Sequence, residues 1–379
     1  MIQLLTCCVC FVYVLLMLSY VIAWKRTKSW LNSSIILEGT PLEQSHQPST
    51  LVSIILPVRD EEKNVLSILQ SLSKQSYAKE NFEIIVVDDF SNDNTSELVS
   101  QSTVQNLKFI RLLHGQGKKK AIEEGIAQAK GTLIITTDAD CEVGEKWLST
   151  IVAFYEVFKP KMIVAPVLVK NEKGFQQIIQ SQEMTVLTAS AGASLFYNSP
   201  ILCSGANLAY EKEAFLSVKG FEGVDATATG DDVFLMQKIH RKFPGEIKYL
   251  KSKEAIVFTH PEKTTSGALG QRKRWASKSF SYGFSPITAI AILVFLANFL
   301  ILISGILSVI NIKFALIFVI TFSAKLIVDF MLLYSSSSFF GKRMCPVLFF
   351  FSSLLYLLYV SIIGLVSPFT TYTWKGRPS

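Results

Sequence analysis

Two pairs of carboxylates stand out along the chain. Asp138 and Asp140 sit one residue apart at the end of the apolar run "GTLIITTDADC", and Asp231 and Asp232 are adjacent in "TGDDVFL". Residues two apart in an extended chain point to one side. If the strand runs through them, Asp138 and Asp140 present two oxygen ligands together, the donor type that hard divalent cations prefer. A plain Asx turn after a strand is the bland alternative. Two further apolar runs end in acids: "VSIILPVRDEEKNV" leads into Asp60, Glu61 and Glu62, and "EIIVVDDFSNDNT" into Asp88, Asp89 and Asp93. A single acidic strand end is usually a helix cap, and Asp93 ahead of Asn94 and Thr95 reads as one. Three such ends in one domain point to a shared cation or nucleotide site.

The elements that must hold these ends alternate in type. Strand patterns at residues 51–58, 82–91, 107–113 and 132–137 are separated by helical patterns from near Glu61 to about Gln75, at 94–102 and at 118–130. Strands apolar on both faces, interleaved with helices, predict an α/β domain with a mostly parallel sheet covered on both sides. Ligands of such sheets bind beyond the carboxyl ends of the strands. All three acidic ends fall on that edge.

Half of the 379 residues are hydrophobic, and the mean hydropathy of +0.36 is well above that of a soluble protein. The excess lies in residues 2–23, 286–310, 314–334 and 346–369, each near the ~20 apolar residues that cross a bilayer. The first lacks a basic leader and an A-x-A site and is too long for a signal core, so it is expected to stay as an anchor. Lys25, Arg26 and Lys28 follow it, which puts the amino terminus outside and the polar region in the cytoplasm. The net charge of +7 is concentrated at Lys118 to Lys120, Arg272 to Arg274, and Lys342 with Arg343. No nucleic-acid-binding signature accompanies it, so nucleic acid is not an expected partner. Among the six cysteines, Cys7 and Cys10 are spaced C-x-x-C but lie in an apolar helix with Cys8, where they read as packing. Cys141, Cys203 and Cys345 are scattered and imply no disulfide framework. The expected organisation is an anchor (1–24), a linker (25–50), the α/β domain (51–262), an interfacial helix (263–285), about three membrane helices (286–369) and a basic tail (370–379).

In order, "VSIILPVRDEEKNV", "EIIVVDDFSNDNT", "GKKKAIEEGIAQAKGTLIITTDAD", "SGANLAYEKEAF", "TGDDVFL" and "QRKRW" resemble the motif series of inverting family 2 glycosyltransferases of the GT-A fold. The resemblance runs from Val52 to Trp275 and includes D-x-D and Q-x-x-R-W. The membrane segments and the final "WKGR" also look like membrane-bound members, both ceramide glucosyltransferase-like and processive synthase-like.

That resemblance implies a nucleotide-sugar donor, with a leaning to uridine, whose diphosphate leaves with help from Mg²⁺ or Mn²⁺. By the motif match, Asp140 binds the metal and Asp138 touches the metal or the ribose. Pro57, Arg59, Glu61 and Asp89 match the base and ribose pocket, although Arg59 stands where tyrosine or alanine is usual and Asp60 where asparagine is usual. Lys118 matches a lysine that approaches the nucleotide, while Lys119 and Lys120 read as a solvated helix start. The attacking hydroxyl needs a proton acceptor; the second acid of the "DD" pair fills that role in relatives, which makes Asp232 the base and Asp231 its orienting neighbour. "SGANLAY" matches an acceptor-side loop, with Gly205 permitting close approach and Asn207 able to bond sugar hydroxyls. Gln271, Arg274 and Trp275 complete the set: an arginine fork for diphosphate and a flat ring for sugar or lipid. They fall on a helix expected to lie at the membrane surface at 270–282.

Lys325 and Asp329, four apart in the third apolar segment, share a helix face and can pair. Three crossings after a cytoplasmic domain would leave the tail outside, yet Lys375 and Arg377 favour the inside. Segment 286–310 is therefore the candidate for a re-entrant or interfacial form. The leading function is inverting sugar transfer to a lipid or lipid-linked glycan, in contact with membrane lipids, at a bacterial inner membrane. The alternatives are a processive polysaccharide synthase of the hyaluronan or cellulose type, for which four spans make a thin channel wall, and a non-catalytic nucleotide-sugar-binding membrane protein.

Overall fold

The computed structural model describes residues 1–31, 36–37, 40–41, 49–170, 172–223, 230–281, 283, 285–367, 373–374 and 377–378. Most of the expected linker, and Lys375 in the tail, lie outside the described residues. Along the chain, helix α1 (Ile2–Arg26) is followed by β1 (Val52–Val58), α2 (Val65–Ser73), β2 (Phe82–Asp88), α3 (Thr95–Ser100), β3 (Leu107–Arg111), α4 (Lys118–Gln128) and β4 (Leu133–Thr136). Next come β5 (Cys141–Val143), α5 (Trp147–Phe158), β6 (Met162–Val164), β7 (Val167–Val169), α6 (Phe175–Phe196), β8 (Leu208–Glu211) and α7 (Lys212–Ser217). The last elements are α8 (Asp231–Lys242), β9 (Ile247–Tyr249), β10 (Val257–Thr259), α9 (Thr265–Ser281), α10 (Pro286–Leu307), α11 (Ile312–Phe340) and α12 (Pro346–Val366). Packing divides them into two compact units, one of Lys28–Lys170 and Leu202–His260, the other of Met1–Thr27, Asn171–Ile201 and Pro261–Ser379.

The first unit is the expected α/β domain. Its seven-stranded sheet runs β9-β6-β8-β4-β1-β2-β3. β1 is parallel to β2 and to β4, and β2 to β3. β8 breaks the pattern by pairing antiparallel with both β4 and β6. A second, three-stranded sheet runs β5-β10-β7. Because β1 is apolar except for Ser53, whose hydroxyl donates to Glu83 and accepts from the Gly131 amide, both of its faces can be buried. Val52, Ile54, Leu56 and Val58 on one face share a core with Val65, Ile68, Leu69 and Leu72 of α2 and with Trp147, Leu148, Ile151 and Val152 of α5. The α2 positions recur at three- and four-residue steps, which puts them on one stripe. Helix α4 covers the opposite face of β1 and β2. The chain enters β4 by passing so close to β1 that a Cβ on Gly131 would lie 2.4 Å from Ser53 N, which only glycine avoids. In register, Val58 faces Asp88 and Ile55 faces Thr136, so β1, β2 and β4 all end at one edge of the sheet.

The second unit contains four helices, α1, α10, α11 and α12, long and apolar enough to cross a membrane. Buried Lys325 pairs with Asp329 at 2.5 Å, and Tyr13 of α1 donates to the same carboxylate at 2.7 Å. The pair thus joins α1 to α11. Trp24 packs on Phe339 and Phe340 at 5.8 and 5.7 Å, so Lys25 and Arg26 lie at the same end of the bundle as Lys342 and Arg343. All six cysteines are free thiols.

Two expectations about this unit are corrected. Residues 171–201, assigned from sequence to the α/β domain, belong with the apolar helices, because α6 packs on α1 and α11. Its buried small residues Ala189, Ala191, Gly192, Ala193 and Ser194 permit close packing all round that end of the helix, while Gln176, Gln177, Gln180 and Gln182 hide it from a hydropathy reading. Segment 286–310 is not re-entrant in form: Pro286–Leu307 is one unbroken 22-residue helix, started by Ser285 capping Thr288 N. The proposed surface helix also begins earlier, at Thr265.

Candidate active site

The loops leaving β1 and β2 are zipped to each other. The Asp60 amide donates to Ser91 Oγ at 3.0 Å, the Asn92 amide to Asp60 Oδ1 at 2.8 Å, the Glu61 amide to Thr95 Oγ1 at 2.7 Å and the Glu62 amide to Asp93 Oδ2 at 3.0 Å. Asp93 also accepts from Thr95 N at 3.0 Å, an Asx turn one residue ahead of the N-cap position Asn94, so it braces the start of α3 without being its cap. Burial alone would raise the Asp93 carboxyl, but the bonds from Thr95 and Glu62 outweigh it and hold the group below its ordinary value. This web delays helix formation: α2 starts at Val65, and Glu61 serves as the turn before it, accepting Asn64 Nδ2 at 2.7 Å.

At the tip of β2, Asp88 is fully buried and accepts from the Ser91 amide at 3.1 Å and from Ser96 Oγ at 2.8 Å. Its neighbour Asp89 reaches across the edge, taking the Gly117 amide at 2.9 Å and facing Arg59 Nη1 at 3.8 Å. Burial raises the Asp89 carboxyl above its usual range, and the Gly117 amide and Arg59 only partly oppose that. Gly117 adopts φ +100 immediately before α4, a conformation that costs other residues strain. Arg59 is thereby tied to the second strand end, and Pro57, half-buried in β1, lies opposite Val87.

β4 stops at Thr136, so Asp138 and Asp140 stand in a turn and not in a strand. The Cys141 amide closes that turn on Asp138 O at 3.2 Å. The alternation argument for placing both carboxylates on one side therefore does not apply. Asp138 is half-buried and Asp140 exposed. Lys118, the first residue of α4, donates to Asp138 Oδ1 at 2.6 Å. Burial would lower the Lys118 ammonium, but Asp138, Asp231 and Asp232 together hold it well above its ordinary value.

The second carboxylate pair meets the first through Gly205. Thr136 Oγ1 donates to Gly205 O at 2.8 Å, and the Gly205 amide donates to Asp232 Oδ2 at 3.0 Å. A Cβ on Gly205 would lie 3.5 Å from Lys118 Nζ and 3.7 Å from Asp232 Cβ. Asp231 and Asp232 open helix α8, where negative charge suits the positive end of the helix dipole. Asp138, Lys118, Gly205 and Asp232 are thus one continuous cluster although they are far apart in sequence. Thr136 and the Gly117 amide were not singled out by the motifs; "HGQGK" carried the only hint, a glycine ahead of a helix.

Asn207 is a correction. It is fully buried, its Oδ1 accepts Trp147 Nε1 at 3.0 Å, and its Nδ2 donates to Pro166 O and Ala255 O, each at 2.8 Å. Both amide donors are spent and Oδ1 is engaged at full burial, so the side chain is not presented to a sugar hydroxyl. It joins α5, β8 and the chain flanking β7 and β10. Gln271, Arg274 and Trp275 are carried by α9 in the other unit, all half-buried. Between them Arg272 is buried; its Nε donates to Glu183 Oε2 of α6 at 2.8 Å, Tyr359 of α12 donates to Glu183 Oε1 at 3.2 Å, and the guanidinium lies 5.8 Å from the Trp275 ring. From sequence, Arg272 is marked only as part of the basic cluster Arg272 to Arg274.

Asp138 and Asp140 suit a hard cation by type. Among the described residues no group of three or more acid, histidine or cysteine side chains forms a complete cage. Magnesium-like ions are commonly held by one or two carboxylates plus substrate phosphates and water. The two aspartates therefore fit an ion that arrives with a diphosphate.

Residues 53–217 match Glycosyl transferase family 2. Over 243 residues the chain is 28% identical to the poly-beta-1,6-N-acetyl-D-glucosamine synthase of Staphylococcus epidermidis, covering 62% of this chain and 56% of that protein. Over 169 residues it is 27% identical to the dolichyl N-acetyl-alpha-D-glucosaminyl phosphate 3-beta-D-2,3-diacetamido-2,3-dideoxy-beta-D-glucuronosyltransferase of Methanococcus voltae, covering 44% and 50%. The chain spans about half the length, or less, of the curated relatives it matches. In fold it is similar to a mannosyltransferase from Pyrobaculum calidifontis solved with GDP-Man and Mn²⁺, with a TM-score of 0.57, 17% identity and coverage of 96% of this chain and 99% of that one. Residues 53–217, somewhat under half of the chain, thus match glycosyl transferase family 2, and the sheet they help to build is of the mostly parallel GT-A type.

Proposed function

We propose that the protein is a membrane glycosyltransferase that moves a sugar, with inversion, from a nucleotide-sugar donor to a lipid or lipid-linked acceptor. One observation carries this reading: Asp232 and Asp138 are joined through Gly205 and Lys118 at the edge where β1, β2 and β4 end. In this account Asp89, Arg59, Glu61 and Pro57 receive the base and ribose, and Asp138 with Asp140 faces the diphosphate. A bound Mg²⁺ or Mn²⁺ would supply positive charge to the leaving diphosphate. Asp232 takes the proton of the attacking hydroxyl, and the Gly205 amide fixes the orientation of its carboxylate. Asp231 adds negative charge beside it, which favours proton capture. Gln271, Arg274 and Trp275 serve the acceptor or diphosphate side.

The acceptor class is supported by the four apolar helices and by the Methanococcus relative, whose name specifies a dolichyl phosphate-linked substrate. The shared end of Lys25, Arg26, Lys342 and Arg343 favours a cytoplasmic active site by the positive-inside rule. A second reading, processive polymer synthesis, is favoured by the length of the match to the Staphylococcus synthase. Membranes containing the protein, incubated with radiolabelled UDP- and GDP-sugars and Mn²⁺, should yield a lipid-extractable product carrying one added sugar. A ladder of long polymer would select the second reading, and no Mn²⁺-stimulated transfer from any donor would defeat both.

A further inference from the structure

We propose that Lys118 is a placeholder cation: its ammonium holds Asp138 in the free protein and must move to the donor's diphosphate before a divalent ion can use that carboxylate. The inference rests on the reading of Asp138 as a metal ligand. Lys118 Nζ lies 2.6 Å from Asp138 Oδ1, the side chains being 24% and 33% exposed, so the pair is open enough to exchange partners. The backbone beneath is fixed, because the Gly117 amide is held by Asp89 at 2.9 Å. The lysine can therefore swing its flexible four-carbon stem without the helix start moving.

The surroundings make the exchange cooperative. The ammonium sits beside Gly205, whose amide holds Asp232, so it neutralises a cluster of acids that would otherwise attract a dication. An ion approaching without a nucleotide meets a resident positive charge and a carboxylate already paired at Oδ1. A nucleoside diphosphate removes both obstacles, since its oxygens offer the lysine a new anionic partner. Metal and nucleotide should then bind with positive coupling, which by linkage acts equally in both directions. A site without the exchange would still bind metal better beside a diphosphate, which adds its own ligands; what sets the exchange apart is that removing the ammonium raises the affinity for metal alone.

The test uses the full chain in detergent, with free Mn²⁺ measured by electron paramagnetic resonance, without nucleotide and with UDP or GDP. Wild type should bind Mn²⁺ about tenfold or more tightly when the matching diphosphate is present. Lys118→Met should bind Mn²⁺ alone roughly tenfold more tightly than wild type and lose the same factor from the coupling. Lys118→Arg, which keeps the charge, should retain it. Unchanged or weaker Mn²⁺ binding by Lys118→Met, or full coupling in that variant, overturns the placeholder role while leaving Asp138 as a ligand. Mn²⁺ affinity unaffected by Asp138→Asn would overturn the metal assignment itself, and this proposal with it.

Discussion

Replacing Asn207 with alanine separates a structural role from a substrate contact. The side chain is fully buried and makes three hydrogen bonds, to Trp147 Nε1, Pro166 O and Ala255 O. Pro166 O keeps a second partner, the Val257 amide at 3.0 Å, so its loss is the smallest. The Trp147 N–H and Ala255 O would be stranded, at ~1–3 kcal/mol for each buried unsatisfied group. Adding a small cavity, the total is about 3–7 kcal/mol. For a unit of this size that lowers the melting temperature by roughly 6–28 °C. Thermal unfolding of the full chain in detergent, followed by tryptophan fluorescence, reads it directly because Trp147 is one of the disturbed groups. Among molecules that remain folded, the KM for acceptor should be unchanged. A variant with wild-type melting and a raised acceptor KM would refute the reasoning and restore Asn207 to the substrate side.

Arg272→Met should destabilise the helical unit by about 3–5 kcal/mol, because it leaves the Glu183 carboxylate buried without its cation. The double variant Arg272→Met/Glu183→Leu should recover much of that loss in the same melting assay. Asp93 gives a pH signature: its folded value is depressed, so its contribution is present above the unfolded value of ~3.9 and is lost as pH falls through the folded value. The melting difference between wild type and Asp93→Asn should therefore be constant from neutral pH down to that region and shrink below it; a difference that grows on acidification would contradict the assignment.

The parallel half of the sheet was legible because β1, β2 and β4 are continuous apolar runs whose alternation with helices admits few arrangements. The acidic strand ends were legible for the same reason, since topology sends them to one edge. The turn at Asp138 was not, because an unbroken apolar and β-branched run from Leu133 to Thr137 does not say where the pairing stops. Register with β1 ends at Thr136. Asn207 was misread because its motif position says nothing of burial, and its three partners come from segments distant in sequence. Helix α6 was assigned to the wrong unit because its small-residue face is weakly hydrophobic, so the contact that decides its place carries little sequence signal. Arg272 lay hidden in a run of basic residues, and its burial against Glu183, 89 positions away, carries no local sequence signal.

The central claim is that Asp232 takes the proton during sugar transfer while the other carboxylate pair faces the diphosphate. Single-turnover transfer by Asp232→Asn, alongside Mn²⁺-dependent UDP or GDP binding by the same protein, tests it most directly. The account predicts nucleotide affinity within about twofold of wild type, with transfer slowed by roughly 10²–10⁴. Transfer at the wild-type rate would contradict it.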